Sequence, residues 1–185
     1  MDSGADAYTR FLAGDDSGLE EIIGMHKDSL IWFLTQYVVS YDIAEELTEE
    51  VFVALYVKRP KFTENAKFRT WLYTIARNKA LNYLRSAAFR KNVPIMEVEC
   101  AALSGCPEQK LLEQERYRSL YSALRKLPRN QREMVYLVYF EEMSVAGASK
   151  VIHKTQRQGI AILYRARQNL KNILEQEGFD SENYS

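Results

Sequence analysis

The chain has 185 residues, 46% of them hydrophobic and 27% charged, which suits one or two compact domains and excludes intrinsic disorder. Its formal net charge is zero, with 25 Lys and Arg against 25 Asp and Glu, but residues 1–57 hold twelve acids against two bases while residues 58–91 hold ten bases against one acid. Such asymmetry implies two different partners, one of them nucleic acid.

Strand-like alternation is absent, so the expected fold class is all-α. Tyr8, Phe11 and Leu12 predict a short first helix, broken near Gly14. A second helix is expected from Ser17 to about Val39, with Leu19, Ile22, Ile23, Leu30, Phe33, Leu34 and Tyr37 at helical spacing. His26 lies among them as a packed or surface histidine, with no second ligand at metal spacing. Asp42 is expected to open the third helix, its spacing to Glu45 matching a capping box with Asp in place of Ser or Thr. That helix reads DIAEELTEEVFVALYVKR and must stop before Pro60. Leu47, Val51, Ala54 and Leu55 line its apolar side. Glu45, Glu46, Glu49 and Glu50 form an acidic patch, a solvated or a protein-docking face. Carboxylates alone on one exposed helix rarely make a tight metal site.

The loop from Pro60 to Ala66 sets Phe62 among Lys61, Thr63, Asn65 and the adjoining Lys67. An aromatic among donors and cations can take an unstacked base. The next helix reads KFRTWLYTIARNKALNYLR, from Lys67 to Arg85. Lys67, Trp71, Thr74, Asn78, Asn82 and Arg85 fall on one stripe at about 100° per residue, and Phe68, Leu72, Ile75, Ala76 and Tyr83 gather elsewhere. The stripe has no carboxylate, whereas a solvated face usually alternates Glu and Lys. Amides and cations on one side suit phosphates and base edges; the alternative is a plain solvated face on a core helix.

Periodicity lapses from Asn92 to Pro107, which reads as a linker. It carries Cys100 and Cys106, whose spacing matches neither a zinc pattern nor CxxC; free thiols in a reducing cytosol are expected. Helical spacing returns at Leu111, Leu112, Tyr117, Leu120, Tyr121 and Leu124 and ends at Leu127-Pro128. RNQREMVYLVYFEEM follows, then a short helix capped by Ser144, and a long one capped by Thr155 with Ile160, Leu163, Leu170, Ile173 and Leu174 inside. Short helix, tight turn and longer helix make a helix-turn-helix arrangement. The expectation is two small helical domains, 1–91 and 108–185, joined by the linker 92–107. The acidic N-terminus MDSGADAYTR lacks an apolar signal core, and no run of about 20 apolar residues could span a bilayer, so a cytoplasmic protein without membrane insertion is expected.

The order and wording of these pieces resemble the bacterial extracytoplasmic-function sigma factors, the small sigma subunits of RNA polymerase. DIAEELTEEVF is similar to the family's core-binding segment, FRTWLYTIARNKALNYLR to its −10-reading helix, and LPRNQREMVYLVYFEEMS with YRARQNLKNIL to the two ends of its −35-reading domain. The resemblance implies that Asp42, Glu45, Glu46, Leu47, Glu50 and Phe52 dock on core RNA polymerase. It implies that Lys61, Phe62, Asn65 and Lys67 hold a base flipped from melted promoter DNA, while Arg77, Asn78, Asn82 and Arg85 lie against the −10 element. Trp71 fits either the domain core or the strand-separation point. An anti-sigma factor is a further implied partner; no cofactor and no metal are implied.

The last helix departs from the family. Its turn position, usually Gly, is His153, and Ile160 and Ile162 stand where the family has basic residues. Gln156, Arg157, Gln158 and Arg165 remain able to touch −35 DNA. Either the −35 element is unusual, or −35 reading is weak and supported by another protein. A free-standing helix-turn-helix regulator and a sigma-like adaptor are the competing functions. No histidine, cysteine or glycine-rich constellation supports an enzyme.

Overall fold

The computed structural model describes residues 3–38, 40–63, 66–91 and 122–176, and every regular element among them is helical. The chain divides into two compact units, Met1–Cys106 and Pro107–Ser185. The expected linker, both cysteines, Asn65 and the polar tail lie outside the described residues.

In the first unit, α1 (Ser3–Leu12), α2 (Ser17–Leu34), α3 (Tyr41–Lys58) and α4 (Phe68–Lys91) pack around one core. Phe11, Ile22, Leu30, Phe33, Leu34, Val51, Leu55, Phe68, Leu72 and Tyr73 are fully buried there. Gly18 lets α2 touch α1, since a Cβ at that position would collide with the Ala7 carbonyl. α2 ends at Leu34, earlier than the expected Val39. The Thr35 hydroxyl donates to the Trp32 carbonyl at 2.7 Å, and the Gln36 and Tyr37 N–H groups donate to the carbonyls of Phe33 and Leu34. The apolar pattern continues because Tyr37 and Val38 stay buried in that turn.

The cap of α3 differs from expectation. Ser40, not Asp42, is the N-cap, and its hydroxyl accepts from the Ile43 N–H at 3.4 Å. Asp42 sits in the first turn, where a negative charge still favours the helix dipole. Arg59 ends α3 in the left-handed region at φ 42°. Its guanidinium covers the Phe11 ring at 4.8 Å.

In the second unit, residues 122–126 are helical and precede α5 (Arg129–Val135), which continues as a π-helical turn at Tyr136–Phe140. Then come α6 (Val145–Val151) and α7 (Gln156–Gln176). Ser144 caps α6, accepting from the Gly147 N–H at 3.1 Å. The turn out of α6 is a Schellman motif: His153 N–H donates to Lys150 O and Lys154 N–H to Ser149 O, with His153 at φ 56°. Glycine takes that conformation without the penalty a Cβ brings. His153→Gly should therefore raise the melting temperature by about 4–8 °C, for a gain of about 1 kcal/mol in a domain this small. Thermal unfolding of the chain checks it, and an unchanged or lowered transition would show that the imidazole's contacts outweigh the backbone penalty.

Candidate nucleic-acid interface and docking face

On α4 the buried residues are Phe68, Leu72, Tyr73, Ala76, Arg77, Ala80, Leu84, Ala87 and Ala88. Their arc is centred roughly opposite the stripe of Lys67, Asn78, Asn82 and Arg85, all of which are exposed. The stripe is thus the outward face of a helix whose other side is sealed into the core. The expected apolar set is adjusted: Ile75 and Tyr83 are half-buried, and Tyr73, Ala80 and Leu84 fill the core instead.

Arg85 Nη1 donates to Asn82 Oδ1 at 3.1 Å. A guanidinium can only donate, so the amide oxygen of Asn82 faces it and the amide NH2 points elsewhere. The pair presents donors, suited to phosphate oxygens and to the acceptor edges of bases. Thr74 is less available than its place on the stripe implies: its hydroxyl bonds back to the Thr70 carbonyl at 2.7 Å. Arg77 is 9% exposed and lies on the buried arc, not on the stripe. So placed, it has little surface with which to cover phosphate.

The loop before α4 is built on an aromatic cluster. Trp71 packs against Tyr8, Phe62 and Phe68 with ring centroids 5.1, 5.4 and 5.4 Å apart. Phe62 meets the Phe68 ring edge-on at 5.5 Å. Phe62 and Trp71 are half-buried, and Lys61, Thr63 and Lys67 beside them are exposed. Tyr8 holds the start of the loop by donating its hydroxyl to the Pro60 carbonyl at 2.7 Å. Burial pushes that hydroxyl up to about 12, against the opposing pull of the Arg59 guanidinium. Nothing in the loop's own sequence pointed to this brace from α1.

On α3 the solvent face carries Asp42, Glu46, Glu49 and Glu50, followed by Val53, Tyr56 and Val57. It is acidic in its first half and apolar in its second. Glu45 pairs with Lys27 at 3.1 Å and Glu50 with Lys79 at 2.7 Å. The hydrogen bond that Lys27 donates to Glu45, more than the charge of that carboxylate, raises the affinity of Lys27 for its proton. Leu47 and Phe52 are only 4% and 6% exposed and belong to the core, so they cannot reach a partner surface as expected. Val53, Tyr56 and Val57 were missed, although residues 42, 46, 49, 53 and 56 follow steps of four and three along one helix face.

On α7 the expected readers separate. Gln158 Oε1 accepts from the Thr155 N–H at 2.9 Å and Thr155 Oγ1 accepts from the Gln158 N–H at 3.2 Å, a reciprocal capping box. Gln158 therefore serves the helix start. Gln156 and Arg157 are exposed, and Arg165 is exposed with its Nε donating to the Ala161 carbonyl at 3.3 Å. Gly159 lies where α6 and α7 cross, and a Cβ there would strike Ser149 Oγ, so that hydroxyl would have to move. Among the described residues no group of three or more His, Cys, Asp or Glu could hold a metal ion, and no helix is long and apolar enough to cross a membrane.

Residues 22–90 match the family described as Sigma-70 region 2, and residues 117–170 match Sigma-70, region 4. The chain is similar to the ECF RNA polymerase sigma factor BldN of Streptomyces coelicolor, 29% identical over 167 residues, or 89% of this chain. It spans 63% of the length of that relative. The ECF RNA polymerase sigma factor SigM of Bacillus subtilis is 27% identical over 156 residues, covering 84% of this chain and 94% of its own. Among solved structures, the fold is shared with the sigma factor RpoE of Bartonella quintana in complex with the anti-sigma factor NepR, at TM-score 0.69 and 18% identity over 84% of this chain and 96% of that one. It is shared also with CnrH in complex with the cytosolic domain of CnrY, at TM-score 0.64 and 20% identity over 94% of this chain and 95% of that one.

Proposed function

The chain belongs to the sigma-70 family as an ECF RNA polymerase sigma factor, and on that premise we propose how its surfaces share the work of starting transcription. The outward face of α3, from Asp42 to Val57, docks on core polymerase: carboxylates attract a basic partner surface, and Val53, Tyr56 and Val57 supply the apolar contact. The loop at Lys61–Thr63 with Lys67 and the Trp71 cluster receives a base displaced from the −10 element. Extrusion takes a few kcal/mol, which stacking and the flanking cations return. Asn78, Asn82 and Arg85 then lie along the opened strand. α7 meets the −35 element with Gln156, Arg157 and Arg165.

The functional parts follow the division 1–91, 92–107 and 108–185, with the middle segment as connector. The protein works in the cytoplasm, performs no covalent chemistry itself, and is held in reserve by an anti-sigma factor, as the names of the RpoE and NepR complex suggest by analogy. The observation that carries this reading is the exposure of Asn78, Asn82 and Arg85 directly opposite the sealed side of α4.

Sequencing the transcripts started when the purified chain is added to core polymerase tests it. Initiation from a defined promoter set is expected, and failure to bind core polymerase would overturn it. Tight sequence-specific duplex binding by the chain alone, with no effect on polymerase, would favour the free-standing regulator.

A further inference from the structure

The two isoleucines that replace basic residues near the start of α7 have separate fates. Ile162 is 4% exposed and packs in the core of the second unit. Ile160, expected inside from its spacing, is 55% exposed and stands on the solvent face, beside Arg157, Ala161 and Tyr164. It is the fifth residue of α7, in the first turn and a half, where the second helix of a helix-turn-helix meets base edges. The capping box locks the helix start and occupies Gln158, so Gln156, Arg157, Ile160 and Ala161 are what the helix offers outward at this point. From His153 to Leu174 there is no carboxylate, and at about 100° per residue Lys154, Arg157 and Arg165 all fall to the same side of Ile160. That charge fits the phosphates along one wall of a groove.

An isoleucine has no donor or acceptor. Set against guanine, cytosine or adenine in the major groove, it would cover polar edges and leave them unsatisfied. Thymine alone presents an apolar group there, its 5-methyl. We propose that Ile160 is a specificity-determining residue of the −35 contact, reading the methyl group of a thymine while Arg157 and Arg165 hold the neighbouring phosphates. This rests on the reading of the second unit as the −35-binding part, and it assigns the unusual helix to an unusual element rather than to lost recognition.

The test uses holoenzyme assembled from the full chain and core polymerase, with promoter fragments randomised over the upstream element. Selection should return a thymine at one fixed position. Deoxyuridine at that position, which lacks only the methyl, should weaken binding about fourfold for the wild-type chain and leave Ile160→Ala holoenzyme unchanged. Ile160→Lys should move the selected base to guanine. No selected thymine, or an equal deoxyuridine effect in wild type and Ile160→Ala, overturns the inference while −35 reading stands. Initiation that depends on the −10 element but selects no upstream sequence overturns −35 reading and this inference together, and would make the Ile160–Tyr164 face a protein contact.

Discussion

Val53→Lys combined with Val57→Lys should lower the affinity of the chain for core polymerase by at least about 30-fold, with the N-terminal unit still folded. Val53 and Val57 are 60% and 70% exposed, so the substitutions remove no internal packing. Lysine is a better helix former than valine, and a cation near the end of α3 suits the helix dipole. Stability should therefore hold. At the proposed contact the same change sets two charges where apolar surface is desolvated and where an acidic face meets a basic partner. Truncation of a hot-spot residue at the centre of an interface costs about 2 kcal/mol or more, which is about 30-fold, and an unpaired buried charge adds to that. Leu47→Ala and Phe52→Ala give the contrasting result. Both side chains are in the core, so each should destabilise the unit by about 2–5 kcal/mol and affect polymerase binding only through unfolding. Titration of labelled chain with core polymerase, beside thermal melts of the same samples, separates the two. Unchanged affinity in the Val53/Val57 variant would place docking on another surface.

Asn82→Ala should reduce discrimination among −10 sequences by about 2- to 13-fold at one base position, the range of about 0.5–1.5 kcal/mol for a single hydrogen bond, because Arg85 engages the amide oxygen and leaves the NH2 for a base. Asn78→Ala should do the same at a different position. Arg85→Ala should weaken binding on every sequence and also blunt Asn82, because Nη1 of Arg85 orients that amide. Arg77→Ala is expected to behave differently from its neighbours. Its side chain is inside the unit, so loss of stability should dominate and no sequence preference should change.

Much of this was legible before any coordinates. The all-helical class, the stripe on α4 and the caps at Ser144 and Thr155 follow from local spacing and residue chemistry, and the family resemblance marked His153 as the turn position. What was not legible depends on long-range packing. Asp42 and Glu45 have capping-box spacing, yet Ser40 offers a hydroxyl two residues earlier and takes the cap. Leu47 and Phe52 have the same chemistry as Val53 and Val57; only the position of α2 and α4 around α3 decides which pair faces inward. Gly159 stands inside α7, and only the approach of Ser149 on α6 shows why a residue without a Cβ suits that position. Arg77 reads as one more cation in a basic block, and its burial follows from the turn of α4 against the core rather than from its neighbours in sequence.

The central claim is that the outward amides of α4 select promoter DNA. Initiation rates of wild-type and Asn82→Ala holoenzymes, compared on promoters differing by single −10 base pairs with core affinity measured in parallel, test it most directly. The account predicts wild-type core affinity and a collapse of the preference at one position. Full preference retained at every position, or an equal loss on all promoters, would contradict it.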